Sequence, residues 1–231
     1  MLEIGPGHGA LSRHLVGVVK RLVLVELDDH LAAELSREYG ARADVHVVHA
    51  DILAVPLATL SSDVPRMLVL GNIPYNITTP IIFHLLTRPR PREIVLMVQD
   101  DVAARIAADV GTKEYGALSV GVRSVASVKR LFKVGRGSFR PVPGVDSAMI
   151  RITPLQPPPL SLPQEEALRR LVRACFQWRR KQLGKILREH PDLACVPEAA
   201  ESALRQAHAS PSDRPERLSP EQFIELAAAL P

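Results

Sequence analysis

The chain has 231 residues, 46% of them apolar and 23% charged, with a formal charge of +4 at pH 7. That is an ordinary soluble composition, enough for one large domain or a large and a small one, and its mild basicity is compatible with a polyanionic partner. No apolar run reaches the length of a membrane span and nothing reads as a signal peptide. Cys175 and Cys195 show neither metal-ligand spacing nor a disulfide framework, so a cytoplasmic protein without metal or membrane association is expected.

Met1-Leu2-Glu3-Ile4 reads as a strand, followed at once by Gly5-Pro6-Gly7-His8-Gly9 and a helical pattern from Ala10 to Val19. Strand, glycine turn and helix form the first half of a nucleotide-type βαβ unit, in which glycines let the backbone turn tightly and a ligand approach. The next strand, Leu22 to Val25, ends in Glu26, a carboxylate placed to accept both hydroxyls of a ribose. Two cofactor classes compete. A dinucleotide site usually spaces its glycines G-x-G-x-x-G and sets a pyrophosphate on the helix N-terminus. Here the spacing is G-x-G-x-G, and Glu3 beside the loop repels a pyrophosphate while suiting an ammonium-bearing cofactor such as S-adenosyl-L-methionine.

Asp28 is expected to cap a helix running to about Tyr39. Asp44 to His49 reads as a third strand, with His46 and His49 at edge or surface positions. Asp51 follows that strand. Alone it is a turn or cap residue; as one of a series of strand-end polar groups it could accept an adenine amine while Ile52 covers the ring. Met67 to Leu70 is the fourth strand and runs into Gly71-Asn72-Ile73-Pro74-Tyr75. Pro74 fixes its own φ and biases Ile73 towards an extended conformation, so carbonyls at this corner lack strand partners. The Asn72 amide oxygen, the free carbonyls of Ile73 and Pro74 and the Tyr75 ring suit a planar group carrying an NH₂, such as a base with an exocyclic amine. The plainer alternative is a strand-to-loop turn with Tyr75 in the core.

A helix from Thr79 and Pro80 through Leu86, a strand at Ile94 to Val98 and a helix over Gln99 to Asp109 come next. Residues 111–116 read as a loop, Leu118 to Val125 as a helix, and Val128 to Val134 with Asp146 to Ile152 as a closing pair of strands. This alternation predicts a mixed sheet with helices on both faces. Between the last strands, Ser138 to Ser147 is a proline-rich loop whose Phe139 either faces Tyr75 across a base or anchors the loop in the core. Pro154 to Pro163 reads as a semi-extended linker. Beyond it the pattern is helical. Gln164 to about Glu189 is nearly single-signed, with Arg169, Arg170, Arg173, Arg179, Arg180, Lys181, Lys185 and Arg188 and with Phe176 and Trp178 between them, a density that suits phosphate contacts. A helix opened by Ser219-Pro220 is expected to pack against it.

The set Glu3-Ile4-Gly5-Pro6-Gly7, Val25 to Asp28, Asp51, Gly71 to Ile77 and Phe139 to Ala148 closely resembles the small-subunit ribosomal RNA adenine dimethyltransferases, the kasugamycin-resistance family. Phe176 and Arg179-Arg180-Lys181 resemble that family's C-terminal domain. The resemblance implies an α/β fold, a Rossmann-like S-adenosylmethionine-dependent methyltransferase domain over 1–153, the linker 154–163 and a small all-α RNA-binding domain over 164–231. It implies N6-dimethylation of two adjacent adenosines in the 3′-terminal hairpin of small-subunit rRNA, in ribosome biogenesis, by a monomer acting on the immature small subunit. Carried over by position, Glu3, Gly5, Gly7, Gly9, Glu26, Asp51, Ile52 and Asn72 surround the cofactor. Asn72, Ile73, Pro74 and Tyr75 hold the target amine, Phe139 lies on the base, and Lys113, Arg140, Arg179, Arg180 and Lys181 contact RNA. The family carries a few tens of residues before the first strand, including a segment that closes over the cofactor's methionine end. They are absent here, so the sequence reads as N-terminally truncated. It also often has Lys where Asp100 stands. Competing expectations are an rRNA-binding assembly factor with weakened or no catalysis, a macrolide-resistance methyltransferase of large-subunit rRNA, and a DNA adenine methyltransferase, for which the C-terminal stretch is short.

Overall fold

Short runs rich in apolar residues form most of the strands, and the second to the fifth each end in a polar residue. The computed structural model describes residues 1–140 and 142–230, and seven strands make one sheet in the order β3–β2–β1–β4–β5–β7–β6. Pro141, within the proline-rich loop, lies outside the described residues. The strands are β1 (Leu2–Ile4), β2 (Leu22–Glu26), β3 (Val45–His49), β4 (Leu68–Asn72), β5 (Glu93–Gln99), β6 (Ala126–Val134) and β7 (Ser147–Pro154). β1 to β5 are parallel and β7 runs antiparallel to β5, which gives the mixed sheet the alternation predicts. Leu22 and Leu24 pack with Leu35 and Tyr39, while Val23 and Val25, facing the opposite way, are buried as well. Burial of both strand faces requires cover on both sides of the sheet.

The order in which the strands are added reverses at β1, where Ile4 lies opposite Val25 of β2 on one side and Gly71 of β4 on the other. A crevice opens at the carboxyl ends of strands around such a reversal.

The helices are α1 (Ser12–Leu15), α2 (Asp29–Tyr39), α3 (Leu57–Leu60), α4 (Thr78–Leu85), α5 (Asp100–Ala107), α6 (Ala117–Arg123), α7 (Leu162–Gln177), α8 (Leu183–Glu189), α9 (Pro197–Gln206) and α10 (Pro220–Ala229). Asp28 caps α2 as its sequence predicts, accepting from the His30 and Leu31 amides at 2.9 and 3.0 Å. The expected helix over 10–19 is only the single turn α1. Val16 is extended and Gly17 turns left-handed at φ +79°, so the apolar spacing continues past the point where the helix stops.

By contacts the chain divides into two units, Met1–Ala103 with Val128–Pro154, and Ala104–Ser127 with Leu155 onwards. Residues 104–127 group with the C-terminal helices, where the sequence places them ahead of the linker. The reason is burial: Tyr115 is fully enclosed in the helical core with Leu171, Phe223 and Leu226, and its hydroxyl donates to the Leu218 carbonyl at 2.7 Å. α7 starts on a capping box between Ser161 and Gln164 and packs against α10, as the sequence expects of the last helix. It ends at Gln177, so the basic run is broken. The chain bends through 178–182 because the first amides of α8, Leu183 and Gly184, bond the Asp213 and Pro211 carbonyls at 2.8 and 2.9 Å. Gly184 permits this approach, since a Cβ there would meet Pro211 at 3.0 Å.

The aromatics between the arginines turn inwards. Phe176 lies 6.3 Å from Tyr115 and 5.9 Å from Phe223, and Trp178 packs edge-on to His190 at 5.0 Å. They belong to the core rather than to a stacking surface for bases.

Cys175 is buried and its thiol is pushed up to about 12 by desolvation. The thiolate is the reactive form, so alkylation of the native protein at pH 8 is expected to modify Cys195, which is partly exposed, and to leave Cys175 intact until denaturant is added. Peptide mapping of the alkylated protein checks this.

Candidate active site

The glycine loop turns at Gly5, Gly7 and Gly9, whose φ angles are +62°, +59° and +71°. Other residues pay about 1–2 kcal/mol each in that left-handed region, which explains three glycines in five positions. Gly5 N–H bonds the Val25 carbonyl at 3.0 Å, and Gly7 N–H bonds Glu26 Oε2 at 3.0 Å. Glu26 Oε1 also accepts from the Leu27 and Asp28 amides at 2.9 and 3.0 Å. The sequence expects Glu26 to offer its carboxylate to a ribose. In the structure the same carboxylate, 7% exposed, already fastens the glycine loop to the end of β2, and a second lone pair of Oε2 remains for a ligand hydroxyl.

Glu3 is 2% exposed and accepts from Ser12 Oγ at 2.8 Å. Burial raises its carboxyl above the usual range, opposed by the Ser12 bond. A carboxyl raised on folding stabilises the fold only below its unfolded value, and that contribution is lost as pH rises through the folded value. At pH 7 the free protein therefore carries the cost of a buried carboxylate. Glu3→Gln is expected to raise the melting temperature of the free protein at pH 7, by roughly 2–4 °C per kcal/mol relieved, and to have no such effect at pH 4; calorimetry at the two pH values checks it.

Asp51 stands exposed at the end of β3, its Oδ1 accepting from the Leu53 amide at 2.9 Å as the cap of a short turn. Its other oxygen makes no hydrogen bond among the described residues. Ile52 is 5% exposed and packed in the core, so it offers little surface for the ring cover the sequence assigns to it.

At the end of β4 the chain leaves the sheet through Pro74 into a single 3₁₀ turn, Tyr75–Ile77. Asn72 is exposed, and its carboxamide makes no hydrogen bond among the described residues. The Asn72 carbonyl oxygen lies 3.7 Å from the point where a Cβ on Gly5 would stand, so this corner and the glycine loop are neighbours. The two carbonyls expected to be free differ. That of Pro74 accepts from the Ile77 amide at 3.2 Å and from Thr78 Oγ1 at 3.4 Å, whereas no loop or turn amide among the described residues donates to that of Ile73. Closing the 3₁₀ turn uses the Pro74 oxygen, which leaves Asn72 and Ile73 as the acceptor pair.

Asn72, Ile73, Pro74 and Tyr75 line one open cleft of ≈ 310 Å³ together with Phe139, Arg140 and Pro143. Phe139 is thus brought to Tyr75's cleft rather than into the core. Asp146 holds the base of its loop: Oδ1 accepts from the Arg136 amide at 3.0 Å, and Lys133 Nζ lies 2.8 Å from Oδ2 and keeps this carboxyl below the usual range. Asp100 pairs with Arg130 and reaches Lys133 at 4.0 Å. A lysine at position 100 would face both cations.

The basic residues separate into two groups. Arg140 lines the cleft. Lys113, Arg180 and Lys181 are exposed, but Arg179 spends its guanidinium on the Thr112 and Lys113 carbonyls at 3.3 and 3.2 Å and on Glu216 at 3.9 Å. Sequence reasoning gave no individual role to Ser12 or Ser147. Each bonds a site residue, Ser12 to Glu3 across the glycine loop and Ser147 to the Tyr75 hydroxyl at 2.7 Å over 72 residues of sequence.

A family profile described as ribosomal RNA adenine dimethylase matches residues 1–227. The chain is 38% identical over its full length to ribosomal RNA small subunit methyltransferase A of Pseudomonas aeruginosa, covering 83% of that protein. It is 40% identical to the protein of the same name from Geobacter metallireducens, covering 84% of it. Among solved structures, a dimethyladenosine transferase from Plasmodium falciparum superposes with a TM-score of 0.78 at 26% identity, over 97% of this chain and 87% of that one. The 23S rRNA methyltransferase ErmE superposes with a TM-score of 0.69 at 28% identity, over 99% of this chain and 89% of that one.

Proposed function

Because the chain belongs to the ribosomal RNA adenine dimethylase family, we propose that it transfers methyl groups from S-adenosylmethionine to N6 of two adjacent adenosines in the 3′-terminal hairpin of small-subunit rRNA. The observation that carries this reading is the unpartnered Asn72 carboxamide, on the wall of a cleft shared with two aromatic rings and beside the glycine loop. The identity to two proteins named as small-subunit methyltransferases supports the choice of subunit. The immature small subunit is the proposed partner, met by a monomer in the cytoplasm, with Arg140, Lys113, Arg180 and Lys181 on phosphates. Arg179 is assigned to holding the 112–113 loop. The helices from 164 to 231 are the proposed RNA-binding portion.

The residues present fit the donor. The left-handed glycines leave room for a ligand on the backbone, Glu26 Oε2 can take a ribose hydroxyl, Asp51 has an oxygen for an adenine amine, and Glu3 supplies the negative charge that suits an ammonium. When bound, S-adenosylmethionine supplies an electrophilic methyl on a sulfonium.

The remaining chemistry is done by the chain. The amine of adenine is a poor nucleophile because its lone pair is delocalised into the ring. Asn72 Oδ1 and the Ile73 carbonyl accept hydrogen bonds from its two N–H groups, which draws the nitrogen towards tetrahedral geometry and fixes the direction of its lone pair. The proton shed once the N–C bond has formed leaves to water at the open cleft. Both acceptors face charge that develops only as the N–C bond forms, so they favour the transition state over the bound base. Tyr75 and Phe139 enclose the ring, and such stacking contributes about 1–3 kcal/mol per base, enough to offset much of the cost of unstacking the adenosine from its hairpin.

Incubation of the protein with labelled donor and immature small subunits, followed by mapping of the modified bases, tests the proposal. Label at N6 of two neighbouring adenosines near the 3′ end of the small-subunit rRNA is expected. Label in large-subunit rRNA, or none with donor and subunit both bound, overturns it.

A further inference from the structure

Tyr75 follows Pro74 directly and sits in a single 3₁₀ turn that has no side-chain cap. Its backbone alone gives the ring little support. The far end of the ring is instead held at its hydroxyl, 2.7 Å from Ser147 Oγ, a contact spanning 72 residues of sequence. Ser147 is fully buried and opens β7, opposite Gln99 of β5, so its Oγ is fixed by the sheet and not by a loop. The residue before it, Asp146, grips the base of the Phe139 loop through the Arg136 amide and Lys133. Two consecutive residues at one strand end thus support both aromatic residues of the cleft, Asp146 through the loop that carries Phe139 and Ser147 through the Tyr75 hydroxyl.

We propose that Ser147 is a positioning residue for methyl transfer: its hydroxyl sets the tilt of the Tyr75 ring against which the target base lies. The inference rests on the proposed reading of the cleft as the adenine site. A ring tethered at Oη can rotate neither about χ1 nor out of the cleft without breaking a bond to a buried partner. A ring released from the tether still stacks, because the aromatic face remains. The loss therefore falls on alignment of the amine with its acceptors and not on capture of the RNA.

Single-turnover transfer from labelled donor into immature small subunits is measured for the parent protein, Ser147→Ala, Tyr75→Phe and the double variant. Donor affinity and melting temperature are recorded beside it. Ser147→Ala and Tyr75→Phe remove the same hydrogen bond from opposite ends, and Tyr75→Phe keeps the test open if the buried serine proves necessary for folding. Each is expected to lower the maximal rate roughly tenfold with half-saturating subunit concentration within about twofold of the parent, and the double variant to be no slower than either single one. A general weakening of the fold would instead give additive losses and lower melting temperatures. Parental rates in both single variants, additive losses in the double variant, or a loss confined to half-saturation overturn the inference alone. Absence of transfer by the parent overturns the methyltransferase reading and this inference with it.

Discussion

Asn72→Ala is expected to lower single-turnover methyl transfer by about 10²–10³-fold, the loss typical of removing one preorganised electrostatic partner from a reacting group. The amide is exposed at the end of β4 and spends no hydrogen bond within the fold among the described residues, so its removal leaves nothing unsatisfied and the melting temperature is expected to stay within a degree or two. RNA affinity is expected to remain within about twofold, since phosphate contacts supply most of it. The rate and the binding curve, measured on the same preparation, separate the two effects. A variant that transfers methyl at the parental rate removes Asn72 from the chemistry.

Glu26→Ala is expected to have the second large effect, and on two properties together. The carboxylate takes the Gly7, Leu27 and Asp28 amides, and all three lose a partner in a site only 7% exposed. An unsatisfied buried donor costs about 1–3 kcal/mol, discounted where water enters the gap, so a net loss of about 2–4 kcal/mol in stability is expected. Donor affinity is expected to fall at least about a hundredfold, because the ribose acceptor disappears and the glycine loop loses its tie to β2. Chemical denaturation and donor titration by calorimetry read the two losses. Glu26→Gln keeps one oxygen for backbone amides and is expected to recover part of the stability and less of the affinity. Donor affinity unchanged in Glu26→Ala would leave the residue a purely structural role.

The two effects differ in kind because the residues sit differently in the same rim. Asn72 is offered outwards and costs the fold nothing, whereas Glu26 is built into the turn it serves. The two residues share that rim because Ile4 pairs with Val25, the residue before Glu26, on one side and with Gly71, the residue before Asn72, on the other.

Most of the sheet was legible because each buried strand is a short apolar run that stops at a glycine or a polar residue. Glu26, Asp51 and Asn72 stood out as polar groups at strand ends, and in a parallel sheet strand ends on one rim are necessarily close. What stayed hidden depends on partners far along the chain. Nothing near Tyr75 announces a hydroxyl on Ser147, and nothing near Arg179 announces the carbonyls of residues 112–113. The periodicity of 10–19 and of 164–189 reads as continuous helix, since apolar spacing persists through a left-handed Gly17 and through the bend that docks α8 on Pro211. The inward packing of Phe176 and Trp178 was hidden for a related reason: an aromatic among arginines looks the same in sequence whichever way it turns.

The Pro74 carbonyl shows how a local rule can mislead in detail. Proline does free the corner from the sheet, but the 3₁₀ turn that follows immediately claims that oxygen, and the acceptor pair shifts back to Asn72 and Ile73. The difference is testable at atomic resolution. In a crystal structure of the protein with S-adenosylhomocysteine and the 3′-terminal rRNA hairpin, a swung-out adenine is expected between Tyr75 and Phe139. Its amine nitrogen should lie about 3 Å from both Asn72 Oδ1 and the Ile73 carbonyl oxygen. The nucleoside filling the glycine loop with the adenine amine bound away from this pair would contradict the account.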